Sequence, residues 1–419
     1  MTYNRFSDTK LFKIGFFLYL YALQIVARST MYTSVFFGFV KSQVIMLVLA
    51  GIGGLIFLAA NRKNLKQILT DRRMAVVLIS AAVILVPMVT KRDWQMLYLT
   101  VLFQILFGVF LSYFLTLQEA AGYYVVLTCM LSALTLLAQF VLKPMVNMGL
   151  LPAFPFDSPG GWHMYNFLVT FAVNRNTEMV DALRAFGIFR EPGLLQIFTF
   201  IAILLNNQIV SWKDTWKMWT INAVLFLTLL ITFATGGVIG LVLYMAFLFF
   251  EKGLYRDRRI RILAIVCVIV GIAAIGIAIA MDGTWAMELV WMIKKIFEKT
   301  DSYTTRVDSV LMDAQLFLQH PLFGARMEEV MYYVPNNTAT SPILFAALGV
   351  AGGCFHVLSW AALLWKKERH WLMNLLLMLI AFIPFNTQNV IHDMFFWMFP
   401  MLALTERTIS NWDIMKKKV

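Results

Sequence analysis

The stretch QMLYLTVLFQILFGVFLSYFLTLQEAAGYYVVLTCMLSALTLLAQFVL, residues 95–142, is apolar with scarcely an interruption. A helix needs about 20 apolar residues to cross the roughly 30 Å hydrocarbon core of a bilayer, so this stretch alone supplies two crossings, near 95 to 117 and 121 to 142. Working outward, further largely uncharged runs lie near 14 to 27, 42 to 60, 74 to 90, 194 to 211, 218 to 235, 237 to 250, 262 to 281, 341 to 365, 372 to 385 and 388 to 405. The whole chain of 419 residues shares this character, being 60% hydrophobic and 14% charged with a mean hydropathy of +0.75. A soluble domain carries roughly 25% charged residues. The expected fold is all-α and polytopic, one integral membrane domain over residues 1–419 with about 12 transmembrane helices.

The formal net charge of +12 comes without a soluble basic domain, an aromatic-basic motif or a zinc pattern, so nucleic acid is not an expected partner. Topology explains the excess better. With the N-terminus inside, 22 of the 35 Lys and Arg residues fall on the cytoplasmic side, and so do the two short basic loops NRKNLKQILTDRR (61–73) and EKGLYRDRRIR (251–261). Both termini are then cytoplasmic. Two long segments, 143–193 and 282–340, face outward, and function is expected there. Arg5, Lys10 and Lys13 precede the first apolar run with no small-residue cleavage site after it, which reads as an uncleaved first helix. Cys129, Cys267 and Cys354 sit in apolar stretches without CxxC spacing and indicate neither a disulfide framework nor a metal site. Residues 218–250 give two crossings only about 33 positions, with Gly236-Gly237 at the expected junction, which favours a tight or broken hairpin.

The first outer segment carries His163, Arg175, Glu178, Asp181, Arg184, Arg190 and Glu191. Pro192-Gly193 then breaks the chain before the apolar LLQIFTFIAILL. Proline is tolerated in a first helical turn, so Glu191 is expected at a helix N-terminus, where the backbone dipole favours anions and would equally welcome a phosphate. Two readings stand side by side: a capping carboxylate paired with one arginine, or two arginines six residues apart clamping a diphosphate. The second segment contains WAMELVWMIKKIF (285–297) and RVDSVLMDAQLFLQH (306–320), with apolar residues at helical spacing, as in helices lying along an interface or in a packed external cap. It adds Arg306 within SYTTRVDS, then His320-Pro321-Leu322-Phe323-Gly324, where Pro321 and Gly324 read naturally as a turn. Asn336-Asn337-Thr338 follows, matching a glycosylation acceptor only formally.

The last span holds Gln388, Asn389, His392 and Asp393 near its outer end, with Asn386 just before. A carboxylate there should face a cavity, a partner or the interface. His392-Asp393 is open to three readings: a proton-handling pair, a contact to sugar hydroxyls, or an interhelical hydrogen bond. Walker A, GxSxG, HExxH and outer-loop DxD patterns are absent from the sequence, so the signal points to metal-free chemistry with no cofactor.

The ordered set Arg184-x-x-Gly187-x-Phe189-x-Glu191-Pro192-Gly193, Thr235-Gly236-Gly237, Arg306, His320-Pro321-Leu322-Phe323-Gly324 and Gly349-x-x-Gly352 resembles the bacterial O-antigen polymerase and O-antigen ligase family over roughly residues 180 to 365. The resemblance implies an inverting, metal-independent glycosyltransferase on the periplasmic face of the inner membrane, with helices arranged as in the lipid-dependent, GT-C-like transferases. It implies a donor glycan on undecaprenyl diphosphate, an acceptor that is a second lipid-linked repeat unit, and a chain-length regulator as a further protein partner. Carried over by motif, Arg184, Arg190 and Arg306 hold the diphosphate, while Glu191 orients an arginine or acts near the acceptor. The candidate bases, in order, are Glu191, His320 and His392. Ligases that look like this family place a histidine beside asparagine just before the span that begins near Ser341. Asn336-Asn337 stands there instead, which favours the polymerase over the ligase. A flippase of lipid-linked oligosaccharide is the rival from another class; it would spread charge over several spans, whereas here charge gathers in two outer segments.

Overall fold

A computed structural model describes residues 10–29, most of 45–55, 71–152, 154–158, 162–167, 170–176, 184–259, scattered positions from 261 to 280, 301–334 and 337–416. The expected spans near 42–60 and 262–281 fall largely outside the described residues, and the helix expected over 285–297, Glu178, Asp181 and Asn336 fall wholly outside them. The described chain is predominantly helical. In chain order the helices are α1 (Lys10–Arg28), α2 (Arg73–Thr90), α3 (Met96–Leu111), α4 (Leu117–Leu137), α5 (Lys143–Asn147), α6 (Pro192–Gln208), α7 (Thr215–Ile231), α8 (Thr235–Glu251), α9 (Asp301–Gln319), α10 (Met327–Tyr333), α11 (Thr340–Leu364), α12 (Trp371–Phe385) and α13 (Met394–Lys416). Among the described residues three helical stretches are long and apolar enough to cross a membrane: Arg73–Thr90, Leu117–Asn147 and Thr340–Leu364.

The all-α expectation needs one amendment. Between α5 and α6 the chain forms a three-stranded antiparallel sheet, β1 (Pro155–Ser158), β2 (Trp162–Asn166) and β3 (Phe171–Asn176), in the order β1-β2-β3. Aromatic residues in PFDS, WHMYN and FAVNRN suit a pleated, half-buried surface. A register irregularity falls between His163 and Met164.

Helix α6 is the hub. Every position from Pro192 to Gln208 except Asn207 is buried, as expected of a helix apolar on all sides. Tyr124 of α4 packs against Phe198 of α6 and against Phe395 and Phe399 of α13, and a second aromatic cluster joins Trp360 of α11 to Phe385 and Phe396. Polar side chains tie the helix ends together. At one end Arg369 bonds Glu251, at the end of α8, and Gln208, at the end of α6, with Nε–Oε1 and Nη2–Oε1 distances of 2.8 Å and 2.6 Å. The starts of α6, α8 and α11 therefore lie at the other end.

Three sequence expectations shift. The α7–α8 turn is residues 232–234, with Phe233 at φ 46°, rather than Gly236-Gly237. Thr232 makes this turn, its hydroxyl donating to the Leu229 carbonyl and accepting from Ala234 N. The glycines fall instead in the first turn of α8. Helix α13, where the last span is expected, begins at Met394, so Gln388, Asn389, His392 and Asp393 occupy the connection after α12 rather than a helix. The span from Thr340 is kinked at Gly349 (φ 67°, ψ −163°). The His320-Pro321-Leu322-Phe323-Gly324 turn docks into that kink: Val350 N donates to Pro321 O at 2.8 Å and Ala325 N to Ala346 O at 2.7 Å. Side chains at Gly349 or Gly324 would collide with the opposing backbone, and both glycines have positive φ, so the two motifs need each other's bareness. Lys91 Nζ completes the joint by donating to the Ala325 and Ala347 carbonyls at 2.7 Å and 2.5 Å.

Candidate functional site

A cavity of about 220 Å³ opens at the end of the bundle where α6 and α8 begin, and Arg184, Glu191 and Arg306 line it together with Pro192, Gly193, Thr235 and Gly236. Residues more than 100 positions apart thus share one wall. Helices α6 and α8, 17 residues each, start here, and neither has a side-chain cap on its first turn. Leu194 N–H and Gly237 N–H donate to the Glu191 and Ala234 carbonyls, and the two helix dipoles give the cavity a fixed positive contribution independent of any ionisable group.

Glu191 occupies the N-cap position of α6 with extended backbone (φ −145°, ψ 145°), yet its carboxylate does not cap the helix. It pairs with Arg190 Nε at 3.2 Å and remains 42% exposed at the cavity. Of the reading as a paired capping carboxylate, the ion pair is present and the cap is not; of the two arginines read as a clamp, Arg184 lines the cavity and Arg190 does not. Arg184 straps the α7–α8 turn, reaching the Thr232 and Phe233 carbonyls at 3.4 Å each. Arg306 enters from α9, and the Glu191 carboxylate is near enough to support its charge against burial, which otherwise lowers its proton affinity. Burial also lowers that of Arg190, again opposed by Glu191. Guanidinium groups stay protonated throughout the accessible range, so Arg184 and Arg306 face one carboxylate across the cavity and leave it cationic.

Arg190 stands behind this wall rather than in it. Its N–H donates to Arg28 O at 3.1 Å, and Ser29 and Phe189 form an isolated antiparallel bridge, so the end of α1 sets the register of the 189–191 segment. Arg28 is in turn held by Asp393, Nε to Oδ1 at 2.5 Å, with Gln24 Nε2 on the same oxygen at 2.8 Å. Asp393 therefore serves Arg28 and does not pair with His392. The His392 carbonyl accepts from Gln104, and its ring does not line the cavity. His320 is exposed at the end of α9, in the turn that docks on the Gly349 kink, and also lies outside the cavity. His163 pairs with Asp157 across β1 and β2 at 2.5 Å, likewise apart from it.

Of the neutral part of the site, the sequence singles out Gln388 alone. Gln196 of α6, Thr387 and Gln388 after α12, and Trp162 of β2 all line the cavity. A signal for them exists in the glycines: a Cβ at Gly193 would strike the Gln388 amide, one at Gly236 would strike Thr387, and one at Gly237 would strike Gln196. The Pro-Gly and Thr-Gly-Gly motifs mark where these side chains lie against helix starts.

Helix α9, which carries Arg306, is anchored by a buried pair, Asp313 Oδ2 accepting from Asn337 Nδ2 at 2.7 Å. Burial pushes the Asp313 carboxyl up to about 7, with the Asn337 hydrogen bond opposing. A carboxyl raised in the fold contributes stability that is complete below its unfolded value, near 3.9, and lost as pH rises through about 7. Thermal unfolding should therefore show a loss of roughly 2 kcal/mol between about pH 5.5 and 8.5 from this group, and Asp313→Asn should flatten that slope. Identical slopes in the two proteins would refute the assignment.

Among the described residues no group of three His, Cys, Asp or Glu side chains is placed to hold a metal ion. Comparison with protein families, with curated proteins and with solved structures finds no match.

Proposed function

We propose that this chain is a polymerase of O-antigen or a related surface polysaccharide, transferring a glycan from undecaprenyl diphosphate to a sugar hydroxyl of a second lipid-linked repeat unit. The observation that carries the reading is the convergence of Arg184, Glu191 and Arg306 with two uncapped helix starts on one cavity. A diphosphate leaving group develops negative charge as its bond to the sugar breaks, and preorganised cations and N–H dipoles stabilise that charge without reorganisation. Charge-assisted guanidinium bonds are the strong kind for this purpose.

In the proposed reaction the acceptor oxygen attacks the anomeric carbon from the face opposite the diphosphate. The carbon–oxygen bond to the diphosphate breaks, and undecaprenyl diphosphate departs with the electron pair. The acceptor proton goes to Glu191, the carboxylate that lines the cavity, with Arg190 fixing its position. His320 and His392 take no part in this step, since neither lines the cavity. The cavity then faces the periplasm, with both termini cytoplasmic and about 12 crossings in the inner membrane.

Deleting the gene in its host and displaying surface polysaccharide on a gel tests the reading. The expected result is a ladder collapsed to core plus one repeat unit. Complete loss of capped core would instead make the chain a ligase, and an unchanged ladder would refute both.

A further inference from the structure

The charged residues occupy only part of the cavity. The rest of its wall is neutral, formed mainly by Gln196, Thr387, Gln388 and the indole of Trp162. A diphosphate, whose oxygens only accept hydrogen bonds, engages the donors of an amide and leaves its carbonyl acceptor unused. A sugar hydroxyl both donates and accepts, which matches an amide on both counts.

These groups are held in place before any ligand arrives. Gln196 is 1% exposed and its Nε2 donates to Thr387 Oγ1 at 3.2 Å, while Thr387 Oγ1 donates to the Pro384 carbonyl at 2.7 Å. One of the two Gln196 amide hydrogens and the Thr387 hydroxyl hydrogen are thus committed, which fixes the rotamers. Gln388 lies against Gly193 and Gln196 against Gly237, each across a helix's first turn. The Gln388 side chain makes no hydrogen bond within the described residues, so its amide is available to the cavity. Trp162 is set by strand pairing with Ser158 and Asn176 and by the Phe186 ring, 5.1 Å away. An indole is a large apolar surface with one polar edge, suited to the C–H face of a pyranose.

We infer that this neutral wall is a subsite for the first sugar ring of the lipid-linked glycan, with Trp162 packing on the ring and Gln388 and Gln196 reading its hydroxyls. The inference rests on the lipid-diphosphate reading above and assigns the sheet a role in recognition. It makes Trp162 and Gln388 specificity-determining residues, distinct from the arginines that hold charge.

The test is binding of the full-length detergent-solubilised protein to bare undecaprenyl diphosphate and to undecaprenyl diphosphate carrying glucose, galactose or N-acetylglucosamine. Wild type should bind at least one glycosylated lipid more tightly than the bare one. Trp162→Ala and Gln388→Ala should each weaken that complex about three- to tenfold and leave the bare lipid within about twofold. Gln388→Ala breaks no internal hydrogen bond, so it reports on the subsite even if Trp162→Ala fails to fold. Equal affinity for all four lipids, or variants that weaken bare and glycosylated lipids alike, would overturn the subsite and leave the diphosphate reading standing. Failure of wild type to bind any of the four would overturn both.

Discussion

Arg306→Ala is expected to lower polymer formation by about 10²- to 10³-fold, the usual cost of removing one preorganised donor from a site of developing negative charge. Arg306 reaches the cavity from α9, whose anchorage depends on Asp313, Asn337 and packing on α11 rather than on Arg306 itself. Protein abundance and unfolding temperature should therefore stay near those of wild type. Arg306→Lys should recover only part of the activity, because an ammonium keeps the charge but loses the planar fork that engages two phosphate oxygens. Arg190→Ala should also abolish polymer, by a different route: it frees the Glu191 carboxylate from its 3.2 Å partner. The readout is the polysaccharide ladder from cells complemented with each variant at matched expression. Normal ladders from both Arg306→Ala and Arg190→Ala would return these residues to a purely structural role and remove the basis of the proposed function.

How far such a site is legible in the sequence depends on what kind of constraint marks it. Apolar runs reveal helices directly, because burial or lipid contact acts on every residue of the run, and α2, α4 and α11 lie where such runs predict. Arg184, Glu191 and Arg306 stand out because a charge in so apolar a chain needs a reason, and all three line one cavity. His320 and His392 stand out on the same logic but do not line it, and His320 belongs to a turn whose neighbours lock into the Gly349 kink. The sheet escapes because its strands are only four to six residues long and sit among turn residues. Gln196 and Thr387 escape because neutral side chains carry no compositional signal, and Gln388 stands out only through its place beside Asn389, His392 and Asp393. Their trace is indirect, in glycines that must be bare at helix starts where a longer residue would serve propensity better.

Long-range polar pairing is the least legible of all, and it carries the second large prediction. Asp393 and Arg28 are 365 positions apart, and adjacency to His392 offers a nearer but wrong partner. In the fold Arg28 and Asp393 are 2% and 3% exposed, and Gln24 binds both the Asp393 carboxylate and Met394 N. Asp393→Ala removes this carboxylate from beside a buried guanidinium and should cost about 3–5 kcal/mol, seen as a marked drop in unfolding temperature in detergent. Asp393→Asn should cost less, since its amide oxygen still accepts from Gln24 and Arg28. Replacing both partners with apolar residues, as in the double variant Arg28→Met with Asp393→Leu, should restore most of the stability, because paired burial of charge gains little over packed hydrocarbon. Activity should not return with it. The Arg28 carbonyl that accepts Arg190 N belongs to the backbone and survives the change, but the charges around Arg190 do not. A double variant that is stable yet inactive would show that the pair positions the Arg190–Glu191 segment, whereas one that is both stable and fully active would confine Arg28 and Asp393 to holding α1 against α13.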